Sequence, residues 1–187
     1  MDKKKVTVLS IDPGTNCTGV SIITYEEGQE PFIHHVETIK ADRLALRYMF
    51  VVGIHGIRYA KILAVADRLY KLFTVYKPDM VVSESPYMGR FAQAFGALTE
   101  MLAEIRNRLF LYNATMYLNT LEPSIVKKFL GVKGTSGDKE AMRTAVLKQA
   151  LSYSTYIKPE ELDEHSIDSI AVGLCFISKL NSSNYGI

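Results

Sequence analysis

Apolar and polar positions along the chain change period several times, and each change marks an element. Val6–Ile11 is an almost unbroken apolar run, rich in β-branched residues, that ends at Asp12 and a Pro-Gly turn. That pattern predicts a buried strand. Gly19–Tyr25 predicts its hairpin partner and Phe32–Lys40 a third strand, so the chain opens with an antiparallel meander. Between Ala41 and Gly53 no period prevails. From His55 to Tyr76 apolar residues recur at Ile62, Val65, Ala66, Leu69, Leu72 and Phe73, the spacing of an amphipathic helix, and Pro78 ends it. Met80–Ser83 predicts a short buried strand closed by Glu84. Phe91–Leu111 predicts a helix, Ala114–Asn119 a fifth strand, and Pro123 opens a short helix as a first-turn proline. Asp138 is expected to cap a helix through Ala150. The last helix is expected from near Leu162 to about Leu180, with residues 181–187 as a fraying tail. The order predicts one α/β domain over 1–187, built on a mixed sheet of five strands, three antiparallel and then two parallel, with helices around it.

Composition narrows the class. Of 187 residues, 48% are hydrophobic and 22% charged, enough apolar surface for a core and too little charge for a disordered chain. The net charge of +2 says little, but its distribution says more. Lys127 to Lys148 is basic, and Pro159 to Ser178 holds Glu160, Glu161, Asp163, Glu164 and Asp168 with no Lys or Arg. A basic segment followed by an acidic one suits a site that handles both phosphates and cations. Cys17 and Cys175 lie far apart and form no metal-type pair. The apolar stretch Leu44–Ala66 is interrupted by Arg47, Arg58 and Lys61, so no membrane span is expected, and no signal peptide is read at the N-terminus. A soluble, cytoplasmic protein is the expectation.

Two isolated acids then stand in the same kind of place, Asp12 closing the first strand and Glu84 the fourth. If those strands are neighbours, both carboxylates emerge at one end of the sheet, where they repel each other unless a cation, a shared proton or donors hold them. The last helix adds His165 and Asp168, spaced i, i+3 on one face, with Ala171, Val172 and Cys175 continuing toward the core. Three carboxylates and one imidazole are a ligand set for hard divalent cations such as Mg²⁺ or Mn²⁺. Two such ions about 4 Å apart activate water and stabilise the leaving oxygen of a phosphodiester. The basic segment would hold a nucleic acid backbone.

These residues resemble the RuvC-like Holliday junction resolvases of the RNase H-like superfamily. "LSIDPGTNCTGVSII" is similar to that family's first motif and "PDMVVSESPYMGRFAQAFGAL" to its second, a strand ending in Glu with an aromatic three residues on. "SIVKKFLGVKGTSGDKEAM" is similar to its basic segment and "DEHSIDSIAVGL" to its final helix, in the family's order. The resemblance implies an RNase H-like fold and a metal site of Asp12, Glu84, His165 and Asp168 holding two Mg²⁺, with Mn²⁺ as a substitute. It implies Lys139 beside the chemistry, Tyr87 as the junction-facing aromatic, and DNA contacts from Lys127, Lys139 and their neighbours Lys128, Lys133, Arg143 and Arg90. It implies a homodimer acting on branched DNA, leaving 5′-phosphate and 3′-hydroxyl ends. It extends to virus-encoded members, often looser in substrate choice, so forks and flaps stand beside four-way junctions, in a bacterial or virus-infected cell. Two features depart from the pattern: Ala41–His55 looks like an insertion, and the loop "VKGTSGD" is longer than expected.

Each residue also has a plainer reading. Asp-Pro-Gly is a turn sequence, and Glu84 is open to pairing with Arg90 or Arg106. His165 and Asp168 suit a helix start, Asp163 and Glu164 a solvated cap with either open to replacing His165, Tyr87 ordinary packing, and the lysines a solvated face. Among rival functions, an actin-like or sugar-kinase-type ATPase shares the Asp-Pro-Gly-Thr hairpin but needs a second such hairpin, which this chain lacks. A branched-DNA binder without cleavage would lack an acid, and a nuclease for RNA–DNA hybrids or flaps differs only in the residues that face substrate.

Overall fold

The computed structural model describes residues 5–88, 92–132 and 139–182. Arg90, Lys133 and Asp138, each given a role above, lie outside the described residues, as do residues 183–187 of the tail. The first three strands are β1 (Lys5–Asp12), β2 (Cys17–Glu26) and β3 (Phe32–Lys40), the antiparallel meander that the apolar runs predict. Then β4 (Met80–Glu84) and β5 (Leu118–Leu121) add parallel strands on the other side of β1. A sixth strand, β6 (Ser152–Tyr153), pairs parallel with Phe32 and Ile33 on the outer edge of β3. The sheet runs β5-β4-β1-β2-β3-β6. The expected sheet of five thus gains a two-residue edge strand, too short for any alternation to show in sequence.

The fifth strand starts later than the apolar pattern suggests. Asn113 accepts hydrogen bonds from Thr115 N (3.1 Å) and Thr115 Oγ1 (2.8 Å) on its side chain, and from Met116 N on its carbonyl. This side-chain turn occupies residues read above as strand, and pairing begins only at Leu118.

Helices cover both faces. On one face α2 (Met49–Tyr76) and α3 (Ala92–Tyr112) bring Leu69, Phe73, Met101 and Ile105 against Leu9, Ile11, Val20 and Val81. On the other, α6 (Glu164–Ser182) brings Ile170, Leu174 and Ile177 against Val8, Ile23, Ile33 and Val82, flanked by α4 (Pro123–Phe129) and α5 (Lys139–Leu147). Burying each such side chain stabilises the fold by about 1.5–3 kcal/mol relative to exposure. Cover on both faces explains why β1 and β4 read as continuous apolar runs.

The unplaced stretch after β3 is helical. It forms α1 (Ala41–Ala45), a 3-10 turn (Leu46–Tyr48) and the first part of α2. Gly56 interrupts α2 with φ 82° and ψ 163°, a conformation open to glycine alone. Tyr48 hydrogen-bonds through its hydroxyl to Asp67. A continuous helix would separate those residues by about 28 Å, so the chain reverses at Gly56. Ala41–Tyr76 is long and apolar enough to cross a membrane by length and composition. The reversal divides that length, and the part after it packs on the sheet.

Candidate active site

The register of the sheet sets two carboxylates side by side. Ile11 pairs with Ser83 across the parallel β1–β4 contact, so Asp12 and Glu84 are the next positions at the same end of adjacent strands. Successive strand residues face opposite sides. Val8 and Val82 lie in the core under α6, whereas Leu9, Ile11 and Val81 lie in the core under α2 and α3. Alternation therefore turns Asp12 and Glu84 toward α6.

The first turn of α6 brings the remaining groups. Asp163 caps it, accepting from Ser166 N at 2.9 Å and from Thr38 Oγ1 at 2.5 Å on the same oxygen. One carboxylate thus fixes the helix start and fastens it to β3. Gly19, on β2 opposite Asp12, makes room for this turn: a Cβ there would collide with the main-chain carbonyl of His165. Further along, Gly173 sits over the Ser10–Ser21 hydroxyl pair, which are 2.6 Å apart. The approach places His165 Nδ1 3.1 Å from Asp12 Oδ2.

Electrostatics show the acids acting on one another. Burial, then the charges of Asp12 and Asp168, push the Glu84 carboxyl up to about 8, with Lys127 opposing. Burial, then Asp12, push Asp168 up to about 6, with His165 and Lys127 opposing. The hydrogen bond to Asp12 raises His165 despite its partial burial. Among the described residues, no arginine figures in the charges acting on Glu84, so its pairing with Arg106 finds no support.

Among the described residues, no three His, Cys, Asp or Glu side chains already stand as a closed metal-ligand group. The donor chemistry nevertheless fits a hard divalent cation. Carboxylates from β1, β4 and α6 crowd one another in a half-buried position, and a divalent charge is what relieves such repulsion.

The basic residues divide. Lys127 is half-buried in the last turn of α4, where its charge reaches both Glu84 and Asp168, and Lys128 beside it is exposed. Lys139, exposed at the start of α5, is ion-paired with Glu164, which also lies 3.6 Å from His165 Nε2. Arg143 is turned inward. Its guanidinium donates to the main-chain carbonyls of Leu162, Pro159 (3.3 Å) and Glu160, tying α5 to the 3-10 turn Pro159–Glu161 ahead of α6. Tyr87, past the end of β4, is 74% exposed, and Met88 next to it 67%.

Sequence reasoning did not anticipate Thr38 or Gly19 as parts of this arrangement. Thr38 and Gly19 are paired in register across β2 and β3, but nothing in an unaligned sequence marks that pairing.

No protein-family model and no curated protein matches the sequence. Solved structures do. RuvC of Thermus thermophilus in complex with a Holliday junction substrate superposes with a TM-score of 0.69 at 18% identity, covering 95% of this chain and 97% of that one. A second Thermus thermophilus RuvC structure gives 0.62 at 19% identity, over 94% and 96%. The yeast mitochondrial Holliday junction resolvase Ydc2 gives 0.66 at 11% identity, over 95% and 80%. The chain has the RNase H-like fold as the RuvC-type Holliday junction resolvases build it.

Proposed function

We propose that this protein is a metal-dependent, structure-selective endonuclease of the RuvC type that resolves branched DNA, four-way junctions foremost. The observation that carries the reading is the convergence of Asp12, Glu84 and Asp168, from β1, β4 and α6, at one end of a sheet with this fold.

Asp12, Glu84 and Asp168 hold two Mg²⁺ ions, or Mn²⁺ in their place, with His165 completing the set. When bound, the ions supply Lewis acidity toward the phosphodiester and a water acidic enough to act as nucleophile near neutral pH. The protein contributes position. Strand ends and a capped helix turn fix the carboxylates more rigidly than loops would. His165, its Nδ1 toward Asp12, orients that carboxylate and is placed to carry a proton at Nε2. Lys127, whose charge reaches Glu84 and Asp168, and Lys139, whose charge senses Asp168, supply positive charge where a scissile phosphate develops charge. Lys128 adds backbone attraction, and Tyr87, exposed beyond Glu84, is placed to stack on an unpaired base. Arg143 reaches the DNA only by giving up its carbonyl contacts. Paired cuts need two sites, so the working unit is a homodimer.

End mapping tests this directly. A labelled four-way junction is incubated with the protein and Mg²⁺, and the products are treated with DNA ligase. Nicks that reseal show 5′-phosphate and 3′-hydroxyl ends from paired cleavage. Tight junction binding with no nick in Mg²⁺ or Mn²⁺ would replace the nuclease with a structural DNA binder.

A further inference from the structure

The helical hairpin formed by α1, the 3-10 turn and α2 up to Gly56 has no part in the site described above, yet it is attached to it. Ala41 N donates to Asn16 O at 2.9 Å, and Lys61 Nζ donates to Asn16 Oδ1 at 2.8 Å. Asn16 lies in the turn between β1 and β2, four residues after Asp12. Lys61 also pairs with Asp42 at 2.7 Å, clasping the base of the hairpin. Inside, Ala45, Val51 and Ala60 form a small core of their own, separate from the two cores of the sheet. The hairpin is therefore a built element, held by its own packing and fastened beside the acids.

Its outer surface is apolar and open to solvent. Every residue from Gly53 to Arg58 is exposed, and the reversal at Gly56 makes this stretch the tip. Ile54 is 76% exposed, Phe50 71% and Leu46 70%. The flanks carry Arg43 and Arg47, both exposed, and no Asp or Glu occurs between Asp42 and Asp67. An apolar patch of this kind marks a docking surface. Its charge decides for what. Against a second copy of the same hairpin, Arg43 and Arg47 would face arginines across a two-fold axis. Against DNA, the same residues face phosphates. Apolar Phe, Leu, Ile and Met side chains that enter between bases, with arginines on the adjacent backbone, are an established way for proteins to grip unstacked DNA.

We propose that this hairpin is a wedge for branched DNA: Phe50 and Ile54 enter the open strand-exchange point while Arg43 and Arg47 hold the flanking phosphates. The inference rests on the branched-DNA reading above and adds a substrate-selecting element to it. It places the selectivity for branches in this hairpin rather than in the acids, and it predicts that bases at the crossover unstack on binding.

The test uses the full chain with the double substitution Phe50→Ser, Ile54→Ser, alongside Arg43→Ala, Arg47→Ala. All four positions are exposed, so the fold is expected to persist, and thermal unfolding checks it. Binding is measured on a four-way junction and on linear duplex of equal length, with 2-aminopurine at the crossover reporting unstacking and sedimentation reporting mass. The wedge predicts a loss of at least ~10-fold in junction affinity for the apolar variant, little change on duplex, and loss of the 2-aminopurine signal at unchanged mass. The arginine variant should weaken binding to both DNAs and flatten the salt dependence. Unaltered junction affinity and fluorescence in the apolar variant would overturn the wedge. A fall in mass with the variant would overturn it in favour of an interface between copies. If the unsubstituted protein itself shows no preference for junctions, the branched-DNA reading has failed, and the wedge with it.

Discussion

Gly19 on β2 and His165 at the start of α6 approach so closely that no side chain fits between the glycine and the histidine carbonyl. That contact seats α6 on the sheet and delivers His165 and Asp168 to the strand ends where Asp12 and Glu84 emerge. The helix is also held by the Thr38–Asp163 hydrogen bond, Thr38 being the register partner of Gly19 on β3.

Substituting Gly19→Ala should therefore destabilise the protein although it adds only a methyl group. The colliding atom is main-chain and cannot rotate away, and overpacking of this sort costs about 1–3 kcal/mol. Gly53→Ala, where a Cβ meets nothing within 4 Å, is the control and should be neutral or slightly stabilising. Urea denaturation of the two variants measures the difference. Equal midpoints would mean that α6 is not seated by this contact.

The cation-free protein should lose stability as pH rises from about 4 to about 8. Glu84 and Asp168 have folded-state values raised to about 8 and about 6. Raised carboxyls bind protons more tightly in the folded state than in the unfolded one. Their stabilising contribution is full below the unfolded values and lost as pH climbs through the folded ones. Together the effect amounts to several kcal/mol at most, because the two acids titrate as a coupled set. Melting in EDTA should show a higher Tm near pH 5 than near pH 8.5, and Mn²⁺ should restore the loss at the higher pH. Glu84→Gln should flatten the profile. A Tm that rises across this range in EDTA would contradict the burial of these acids.

Arg143 separates a structural from a DNA-binding role. Arg143→Lys keeps the charge but cannot reach the carbonyls of Leu162, Pro159 and Glu160 together, so stability should fall by about 1–3 kcal/mol. Denaturation and junction binding are measured on the same variant. Unchanged stability with weakened binding would return Arg143 to the DNA surface.

Lys127→Ala with Lys128→Ala should weaken DNA binding across sequences. The slope of log affinity against log salt should fall by about one for each phosphate that a lysine no longer neutralises. Because Lys127 also restrains Glu84 and Asp168, the double variant should push both acids further up and shift the cleavage pH profile to higher pH. A salt slope equal to the parent's would place the DNA elsewhere.

Tyr87→Ala should reduce the preference for junctions over linear duplex while leaving the melting temperature unchanged, since the ring is exposed. Competition binding measures it. An unaltered preference would leave Tyr87 without a part in branch recognition.

The parts of the fold legible in sequence are those that long apolar runs impose. β1, β2 and β4 are buried on both faces, so their composition alone marks them, and the two acids that interrupt such runs stand out for the same reason. The stretch from Ala41 to Gly56 is legible only as an absence of period: its helices are short, its core holds Ala45, Val51 and Ala60, and its outer face is apolar too, which erases the amphipathic stripe. Asn113 shifts β5 because a side-chain turn overrides an apolar pattern. Arg143 reads as one more cation in a basic segment, and only the tertiary placement of the Pro159 turn shows its carbonyl partners. Gly19 and Thr38 act through register, a property of pairing that one sequence does not carry.

The most direct measurement compares the unsubstituted protein with Asp12→Asn on an end-labelled four-way junction, with Mg²⁺ and with EDTA. Paired symmetric nicks from the parent in Mg²⁺, none in EDTA and none from Asp12→Asn, with junction affinity and melting temperature of the variant preserved, are what the three converging carboxylates predict. Cleavage by Asp12→Asn at the parent's rate would contradict the site.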